Sequence, residues 1–393
     1  MRVALVGPTY PYRGGISDYN TLLCRALRRK HTVKFISFSR QYPNILFPGR
    51  SDREEGDTPL EPGDVSYMID SLNPVTWHAA ARAIARFEPD VLVVPWWVTF
   101  WAPHFTYLMG CARRQTGCDV TIVCHNAVEH EASAWKRWVS RVVLSFADRI
   151  VTHSRQETAR TRALLGKSAR IITGYHPTYA PLAGGRKNRE QARQELGLGD
   201  RSVLLFFGFV RPYKGLGVLL RAMPRVLRAR EVHLVVAGEF WRDKTSYQEL
   251  IRDLDIGGAV LLRDRYVPKE QLPTYFGAAD LVVQPYLSAS GSGVCQLAWG
   301  FGRPVVATRV GSLTDVVVDG VNGRLVSPGD EGELASAIVE ALRPSNLSRL
   351  ERGAEQARRQ YGWDRMADII VGEVSPDDAG LKGKAAAAAH HAE

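Results

Sequence analysis

The chain has 393 residues, of which 45% are hydrophobic and 23% charged, so it is an ordinary globular chain that is long enough for two domains. Its five cysteines form no CxxC pair, which excludes a cysteine-based metal cluster and indicates reduced thiols in a cytoplasmic protein. The net charge of +10 is typical either of a surface tuned for solubility or of a protein with an anionic partner: a phosphate, a nucleotide, nucleic acid or a membrane surface.

Short β-branched runs alternate with helical patterns in two series. The first series of predicted strands covers residues 3–7, 33–37, 65–69, 90–94, 120–124, 149–153 and 170–174. The second covers residues 203–208, 232–238, 259–264, 280–285, 304–308 and 323–327. Near-continuous apolar strands separated by helices indicate parallel sheets covered on both faces. The predicted fold class is therefore α/β, with two Rossmann-like doubly wound domains and a ligand cleft facing the carboxyl edges of their sheets.

The polar, uneven stretch 176–201 is the predicted linker region. It separates an N-terminal domain at 1–175 from a C-terminal domain at 202–379, whose final helix could cross back to the first domain. The low-complexity tail 380–393 is predicted to be disordered. The start, MRVALVGPT, has too short an apolar run for a signal peptide, and the apolar stretch at 90–103 is too short and proline-broken to span a bilayer, so we expect a cytoplasmic protein.

Two loops of the first domain are candidate ligand sites. In GPTYPYRGGISDYN, Gly14 and Gly15 open an amphipathic helix, either as a phosphate-binding helix start or as an ordinary strand-to-helix loop. In TIVCHNAVEHE, His125 follows a strand, with Asn126 and Glu129 in the same loop; the histidine could polarise a hydroxyl, contact a sugar or be a satisfied loop residue. The spacing does not match HExxH, so no zinc site is predicted there.

Aromatic residues mark two further stretches of the first domain. Trp96 and Trp97, in PWWVTFWAPHF, could stack on a sugar or lipid acceptor or could belong to the core. The stretch 135–146, WKRWVSRVVLSF, has an apolar stripe with basic residues beside it. That pattern is typical both of a helix lying on an anionic membrane and of an amphipathic core helix.

The second domain carries a basic pair and a glycine-rich turn. Arg211 and Lys214 follow a strand and open a helix, where cations oppose the helix dipole; a bound polyanion would offset that repulsion, although solvated surface charge is the alternative. The turn Ser290-Gly291-Ser292-Gly293 also precedes a helix. Its glycines can expose amides, and its serines can cap the helix or donate to phosphate oxygens.

The order of these motifs resembles the family-4 retaining glycosyltransferases of the GT-B fold, over nearly the whole chain. The most specific parts are FFGFVRPYKGL, RYVPKEQLPTYFGAADLVVQPY and GFGRPVVATRVGSLTDVVVDGVNG. The resemblance implies a nucleotide-sugar donor in the second domain and an acceptor in the first. It implies that Arg211 and Lys214 neutralise the diphosphate, that Gly15 approaches a phosphate, and that His125 is the active-site histidine. Tyr266 and Val267 would contact the base, and no metal or other cofactor would be needed.

The chain departs from the family pattern at two places. The family's paired glutamates are replaced by Ser290 and Leu297, and Phe209 occupies the usual position of the first basic residue. Ser290 could hydrogen-bond the donor sugar instead, and Gln296 could contact the ribose, although it could also face the wrong side of its helix.

The main hypothesis is transfer of a hexose or related sugar to a glycan or lipid-linked acceptor, in polysaccharide or cell-envelope synthesis, with possible peripheral membrane contact. The alternatives are a GT-B nucleotide-sugar epimerase or hydrolase, which needs a carboxylate base that cannot be assigned here, and a non-catalytic binding subunit. No nucleic-acid-binding motif is present in the sequence, so no nucleic-acid partner is expected.

Overall fold

The structure is a computed structural model that describes residues 1–42, 53, 63–128, 133–166, 169–183, 187–241, 244–289 and 292–374. The chain divides into two compact units, one formed by Met1–Tyr175 with Trp363–Glu393 and the other by His176–Gly362. The predicted tail 380–393 lies outside the described residues. The stretch 176–201, predicted as a linker, belongs to the second unit and contains a helix.

The first unit is built on a seven-stranded parallel sheet with the strand order β3-β2-β1-β4-β5-β6-β7. The strands are β1 (Arg2–Val6), β2 (Thr32–Arg40), β3 (Val65–Asp70), β4 (Val91–Trp96), β5 (Asp119–Cys124), β6 (Arg149–Thr152) and β7 (Ile171–Thr173). Its helices are α1 (Gly15–Leu27), α2 (Pro74–Phe87), α3 (Ala102–Thr116), α4 (Ala134–Leu144) and α5 (Arg155–Leu165). All seven predicted strands of the first series are present. The central strands β4 and β5 are buried along almost their whole length, as expected of apolar runs covered on both faces, whereas the edge strand β3 is only partly buried.

The second unit is built on a six-stranded parallel sheet with the order β10-β9-β8-β11-β12-β13. The strands are β8 (Ser202–Phe207), β9 (Val232–Ala237), β10 (Val260–Arg263), β11 (Leu281–Gln284), β12 (Val305–Thr308) and β13 (Gly323–Val326). Its helices are α6 (Arg189–Leu196), α7 (Leu216–Ala229), α8 (Lys244–Asp253), α9 (Leu272–Ala278), α10 (Gly293–Gly300), α11 (Leu313–Val316), α12 (Glu331–Ala341) and α13 (Pro344–Gln360).

The last described helix, α14 (Trp363–Val371), returns the chain to the first unit. It packs on α1, β4 and β5 and buries Trp363, Met366 and Ile370. Two ion pairs, Arg29 with Asp364 and Lys30 with Asp368, join it to the segment just after α1.

Each sheet reverses its strand order beside its first strand, at β1 and β4 in the first unit and at β8 and β11 in the second. In open α/β sheets, ligands bind beyond the carboxyl ends of the strands at such reversal points. The loops after β1, β4, β8 and β11 are therefore the places where each unit can bind a ligand. In the part of the chain that the structure describes, no helix is long and apolar enough to cross a membrane.

Candidate active site

The basic pair of the second unit lies beyond the carboxyl end of β8, in a short 3-10 turn before α7. Lys214 is only 9% exposed, and its Nζ lies 5.8 Å from the centre of the Tyr286 ring. Burial, with a smaller contribution from nearby Arg211, lowers the pKa of Lys214 to about 8. Among the described residues, no carboxylate forms an ion pair with Lys214 or Arg211. The turn therefore presents positive charge that a bound anion would compensate.

The guanidinium of Arg211 is held by stacking. Its central carbon lies 3.7 Å above the centre of the Trp241 ring, and that ring is itself exposed. A guanidinium held flat on an aromatic ring keeps its edge donors available to an oxyanion. Phe209, at the position where the family usually has its first basic residue, is also exposed and supplies no charge. The basic character of this loop thus comes from Arg211 and Lys214.

The backbone around Lys214 is set by Gly215. This residue has φ +70°, and a Cβ added to it would lie 1.9 Å from the carbonyl oxygen of Pro285, in the loop after β11. Only glycine permits this close approach. The contact brings the loop after β8 against the loop after β11, at the reversal point of the sheet.

The predicted phosphate-binding turn is only partly described, because Ser290 and Gly291 lie outside the described residues. Ser292 caps α10: its Oγ accepts a hydrogen bond from the backbone N–H of Cys295 at 3.4 Å and donates to Oε1 of Gln284. The hydroxyl of Ser292 is thus occupied by protein groups. Gly293 is exposed at the helix start. Of the two described residues of the turn, the structure leaves Gly293 accessible to a phosphate.

The orientation of α10 corrects the expectation for Gln296. Its side chain is 2% exposed, and its backbone carbonyl accepts a hydrogen bond from the N–H of Tyr179 at 3.3 Å. Leu297, one residue later, lies on the same partly exposed face as Gly293 because each helical position rotates by about 100°. A ribose contact through Gln296 is therefore inconsistent with this conformation, and the partly exposed position that a family glutamate would occupy is the apolar Leu297.

Tyr266 and Val267 follow the carboxyl end of β10, the edge strand of the second sheet. Val267 is buried and Tyr266 is half-buried. Their backbone lies at the same edge of the sheet as the loops after β8 and β11, as a base contact through the backbone requires.

In the first unit, Gly14 and Gly15 form the start of α1. Gly14 is the N-cap residue with φ +121°, and a Cβ added to either glycine would meet no atom within 4 Å. The first backbone amides of this 13-residue helix are therefore uncrowded, which suits the binding of an oxyanion.

His125 lies at the carboxyl end of β5, and its backbone N–H donates to the carbonyl of Trp96 at 2.9 Å. Its ring meets the Tyr19 ring edge-on at 4.7 Å and the His153 ring at 4.8 Å. Neither Tyr19 nor His153 was identified as a site residue from the sequence. The signal for His153 was available, because it directly follows β6, the neighbour of β5, and parallel strands end at the same edge.

The loop after β5 is fixed by the backbone and by a buried carboxylate. Asn126 donates its backbone N–H to the carbonyl of Trp96 at 3.4 Å, and Glu157 accepts the N–H of Ala127. Glu129, expected to contact the acceptor, lies outside the described residues.

The two tryptophans expected to contact the acceptor differ in accessibility. Trp96 is 1% exposed and belongs to the hydrophobic core, so the expectation that it stacks on an acceptor is wrong for this conformation. Trp97 is half-buried, with its ring centre 5.8 Å from that of Trp101. A stacking surface in this region can include Trp97 alone of the pair.

Helix α4 has a core face and an aromatic exposed face, rather than the single apolar stripe that the sequence indicated. Val143 and Leu144 are buried, whereas Trp135 and Trp138 are 60% and 65% exposed. The two tryptophans share the solvent side of the helix with two exposed basic residues, Arg137 and Arg141.

Comparison with known proteins agrees with this architecture. Residues 14–175 match the family described as "Glycosyl transferase 4-like domain", and residues 201–344 match "Glycosyl transferases group 1". The chain is 31% identical over 351 residues to the D-inositol 3-phosphate glycosyltransferase of Acidothermus cellulolyticus, covering 83% of this chain and 76% of that protein.

A second relative is matched over only part of its length, and a solved structure shows the same fold. The chain is 34% identical over 240 residues to D-inositol 3-phosphate glycosyltransferase 1 of Catenulispora acidiphila, and the match covers 58% of this chain and a little over half, 57%, of that protein. The solved structure of the Anabaena protein HepE in complex with UDP superposes with a TM-score of 0.70 at 18% identity, covering 95% of this chain and 100% of the other. The chain therefore belongs to the group 1 glycosyltransferases and has the GT-B fold.

Proposed function

We propose that this protein transfers a hexose or related sugar from a nucleotide-sugar donor to a glycan or lipid-linked acceptor, with retention of the anomeric configuration, in polysaccharide or cell-envelope glycan synthesis. The observation that carries the proposal is Lys214, a buried ammonium without a carboxylate partner among the described residues, beside Arg211 at the reversal point of the second sheet. The Anabaena protein HepE, which has the same fold, was solved in complex with UDP, and this supports uridine diphosphate as the leaving group.

The second unit would bind the donor through its diphosphate. Lys214 supplies a partly desolvated point charge, Arg211 a planar fork, and Gly293 the start of a helix, so the negative charge that develops on the departing nucleotide is stabilised by groups already in place. Because these cations and amides do that electrostatic work, we propose that transfer needs no metal or other cofactor.

The first unit would contribute the acceptor side. His125 is held by its backbone bond to Trp96 and by ring contacts with Tyr19 and His153, so its imidazole has a fixed orientation from which to contact a hydroxyl. Gly15, at the open start of α1, would approach a phosphate oxygen. Retention would follow from attack on the face that the nucleotide leaves, with the leaving phosphate taking the proton of the acceptor hydroxyl.

A donor screen tests the proposal directly. The purified protein is heated with a panel of nucleotide sugars and free nucleoside diphosphates, and one donor and its diphosphate should raise Tm, since ligands that bind only the folded state stabilise it. Arg211→Ala should lower the rate of transfer by about 100-fold or more, as expected for loss of a group that stabilises developing charge. Turnover is measured in the presence of a chelator and with a panel of candidate acceptors that includes D-inositol 3-phosphate, the compound in the names of the relatives.

The matched control is Arg228→Ala, which removes an exposed arginine from α7 away from the loop after β8. Failure of every nucleotide sugar and every nucleoside diphosphate to stabilise the protein would rule out the donor site. Donor binding followed by release of free sugar without an acceptor would favour a hydrolase, and a change of sugar configuration an epimerase. Donor binding with no turnover for any acceptor would favour a binding subunit.

We also propose that the exposed face of α4 contacts an anionic membrane and so presents the first unit to a lipid-linked acceptor. Trp135 and Trp138 are the most exposed tryptophans among the described residues, and Arg137 and Arg141 lie on the same face. Indole rings favour the headgroup region of a bilayer, and arginines beside them are attracted to anionic lipids. A core helix would not require tryptophan on its solvent side.

Co-sedimentation with vesicles tests this surface. The protein should bind vesicles that contain phosphatidylglycerol more strongly than vesicles of phosphatidylcholine alone, and binding should weaken at high salt because the electrostatic part is screened. The double variant W135S/W138S should lose most of the binding while turnover of a water-soluble acceptor is unchanged. Val75→Ser, which removes an exposed apolar side chain from α2, is the control. Equal binding by the double variant and the control would refute the membrane contact.

A further inference from the structure

A cluster of three possible metal ligands lies in the first unit, where the chain leaves α1 and where α14 ends. It consists of His31, Asp368 and Glu373, and one ligand atom from each lies within 4.8 Å of the other two. The imidazole Nε2 of His31 is 3.8 Å from a carboxylate oxygen of Glu373, too far for a hydrogen bond. This cluster, the α1–α14 cluster, has no part in the donor or acceptor chemistry proposed above.

The imidazole of His31 is the observation that points to a ligand. Its side chain is 3% exposed, and both ring nitrogens are buried without a hydrogen-bond partner in the described part of the chain. A buried polar nitrogen without a partner is costly, and a native fold rarely leaves two on one ring. A cation bound at one ring nitrogen would remove part of that cost, because neutral imidazole is a strong ligand for transition metals.

The surrounding charges allow a cation. Asp364 is paired with Arg29, and Asp368 with Lys30, whose Nζ donates to both carboxylate oxygens at 2.8 Å. Among the described residues, no lysine or arginine forms an ion pair with Glu373, whose carboxylate interacts with Lys30 only at longer range. Asp368 can keep Lys30 on one oxygen and offer the other to a metal, as ligating carboxylates commonly do when an outer group holds them.

We propose that the α1–α14 cluster binds one zinc-like divalent transition metal ion, with His31, Asp368 and Glu373 as its protein ligands. One nitrogen and two carboxylate oxygens are a ligand set that Zn²⁺ accepts, with water completing the coordination. Tetrahedral bonds of about 2.1 Å place ligand atoms roughly 3.4 Å apart, so the three side chains need only a small inward movement. Glu373 follows the end of α14 and has a partly exposed side chain that can make it.

The proposed metal ion would have a structural role. The metal would fasten the end of α14, the element that returns to the first unit, to the segment after α1. Helix α1 has 13 residues, about 20 Å at the usual rise per residue, and separates this cluster from Gly15. The ion should therefore change stability and leave the transfer reaction without a metal requirement.

Zinc binding to the whole 393-residue chain is measured by competition with a chromophoric chelator and by the shift in Tm. Wild type should bind one Zn²⁺ at this site, with Tm raised by a few degrees. Two variants each remove one ligand: Glu373→Gln changes a partly exposed side chain and does not threaten folding, and His31→Phe fills the same space without a nitrogen. Each should weaken Zn²⁺ binding by about 100-fold or more, since even changes to groups outside the ligand set cost about 10–100-fold in metal affinity. Lys30→Met should bind Zn²⁺ more tightly, because a competing cation is removed.

The control is Asp364→Asn, which removes a carboxylate one turn earlier on α14 and outside the cluster, and should bind Zn²⁺ as wild type does. Because His390 and His391 also offer imidazoles, the comparison is between variants that all retain them. Wild type without zinc binding, or Glu373→Gln and His31→Phe variants that both bind as tightly as wild type, would overturn the proposal.

Discussion

The buried ammonium of Lys214 supplies the positive charge proposed to bind the diphosphate, but its burial lowers the stability of the folded protein. Burial disfavours its charged form and lowers its pKa to about 8, far from the value of 10.5 expected in an unfolded chain. The folded protein thus binds the proton less tightly than the unfolded one, so the cost is fully present below pH 8 and is relieved as the pH rises toward 10.5. A residue that only stabilised the fold would not carry this penalty.

Lys214→Met should therefore stabilise the ligand-free protein at pH 7, by up to roughly 3 kcal/mol, since one pKa unit corresponds to about 1.4 kcal/mol. The gain should shrink above pH 8, as the wild-type ammonium loses its proton. Donor affinity should show the opposite pattern: it should weaken above pH 8 in wild type and be low and independent of pH in the variant. Thermal melts and binding titrations between pH 7 and 9 measure both, and a less stable variant with unchanged donor affinity would contradict the assignment.

Single residues also mark the limit of what the sequence could predict. The motif order placed Arg211 and Lys214 in one short loop, because spacing along a loop is local information. It could not decide between Gln296 and Leu297, since the exposed face of α10 depends on which neighbours the helix packs against. The sequence also could not decide which of Trp96 and Trp97 is buried, because successive side chains on an extended chain point to opposite faces.

At the scale of elements, the junction of β8 and α7 depends on its glycine. Gly215→Ala forces a Cβ into the left-handed region and against the backbone carbonyl of Pro285, so it should destabilise the protein by roughly 2–4 kcal/mol and displace Lys214. Gly217→Ala, two residues later inside α7, should instead be neutral or stabilising by about 0.5–1 kcal/mol. Chemical denaturation compares the two, and equal stabilities would show that the contact with Pro285 does not constrain the loop.

Helix α4 shows why element type is easier to predict than element environment. Its amphipathic period was visible in the sequence, and the helix is present. The period does not say which neighbour an apolar side chain meets, and here Val143 faces the core whereas Trp138 faces solvent. Membrane contact and core packing produce the same spacing, so the distinction needed the three-dimensional structure.

At the scale of the whole molecule, the two parallel sheets were predictable because their central strands, such as β4 and β8, are buried on both faces and therefore have continuous apolar sequences. The strand orders, and with them the reversal points at β1 and β8, were not predicted, because apolar runs do not say which strands lie side by side. The α1–α14 cluster was not visible at all, since His31 and Glu373 are separated by most of the chain.

The assignment of α14 to the first unit has a consequence for biosynthesis. A ribosome releases residues 1–175 long before Trp363, so the apolar surface that receives Trp363, Met366 and Ile370 stays uncovered while the whole second unit is made. The second unit, 176–362, is continuous and can finish folding first, although it is synthesised later. The nascent chain therefore has an order of completion opposite to its order of synthesis, and the unfinished first unit is the part that most needs protection from aggregation.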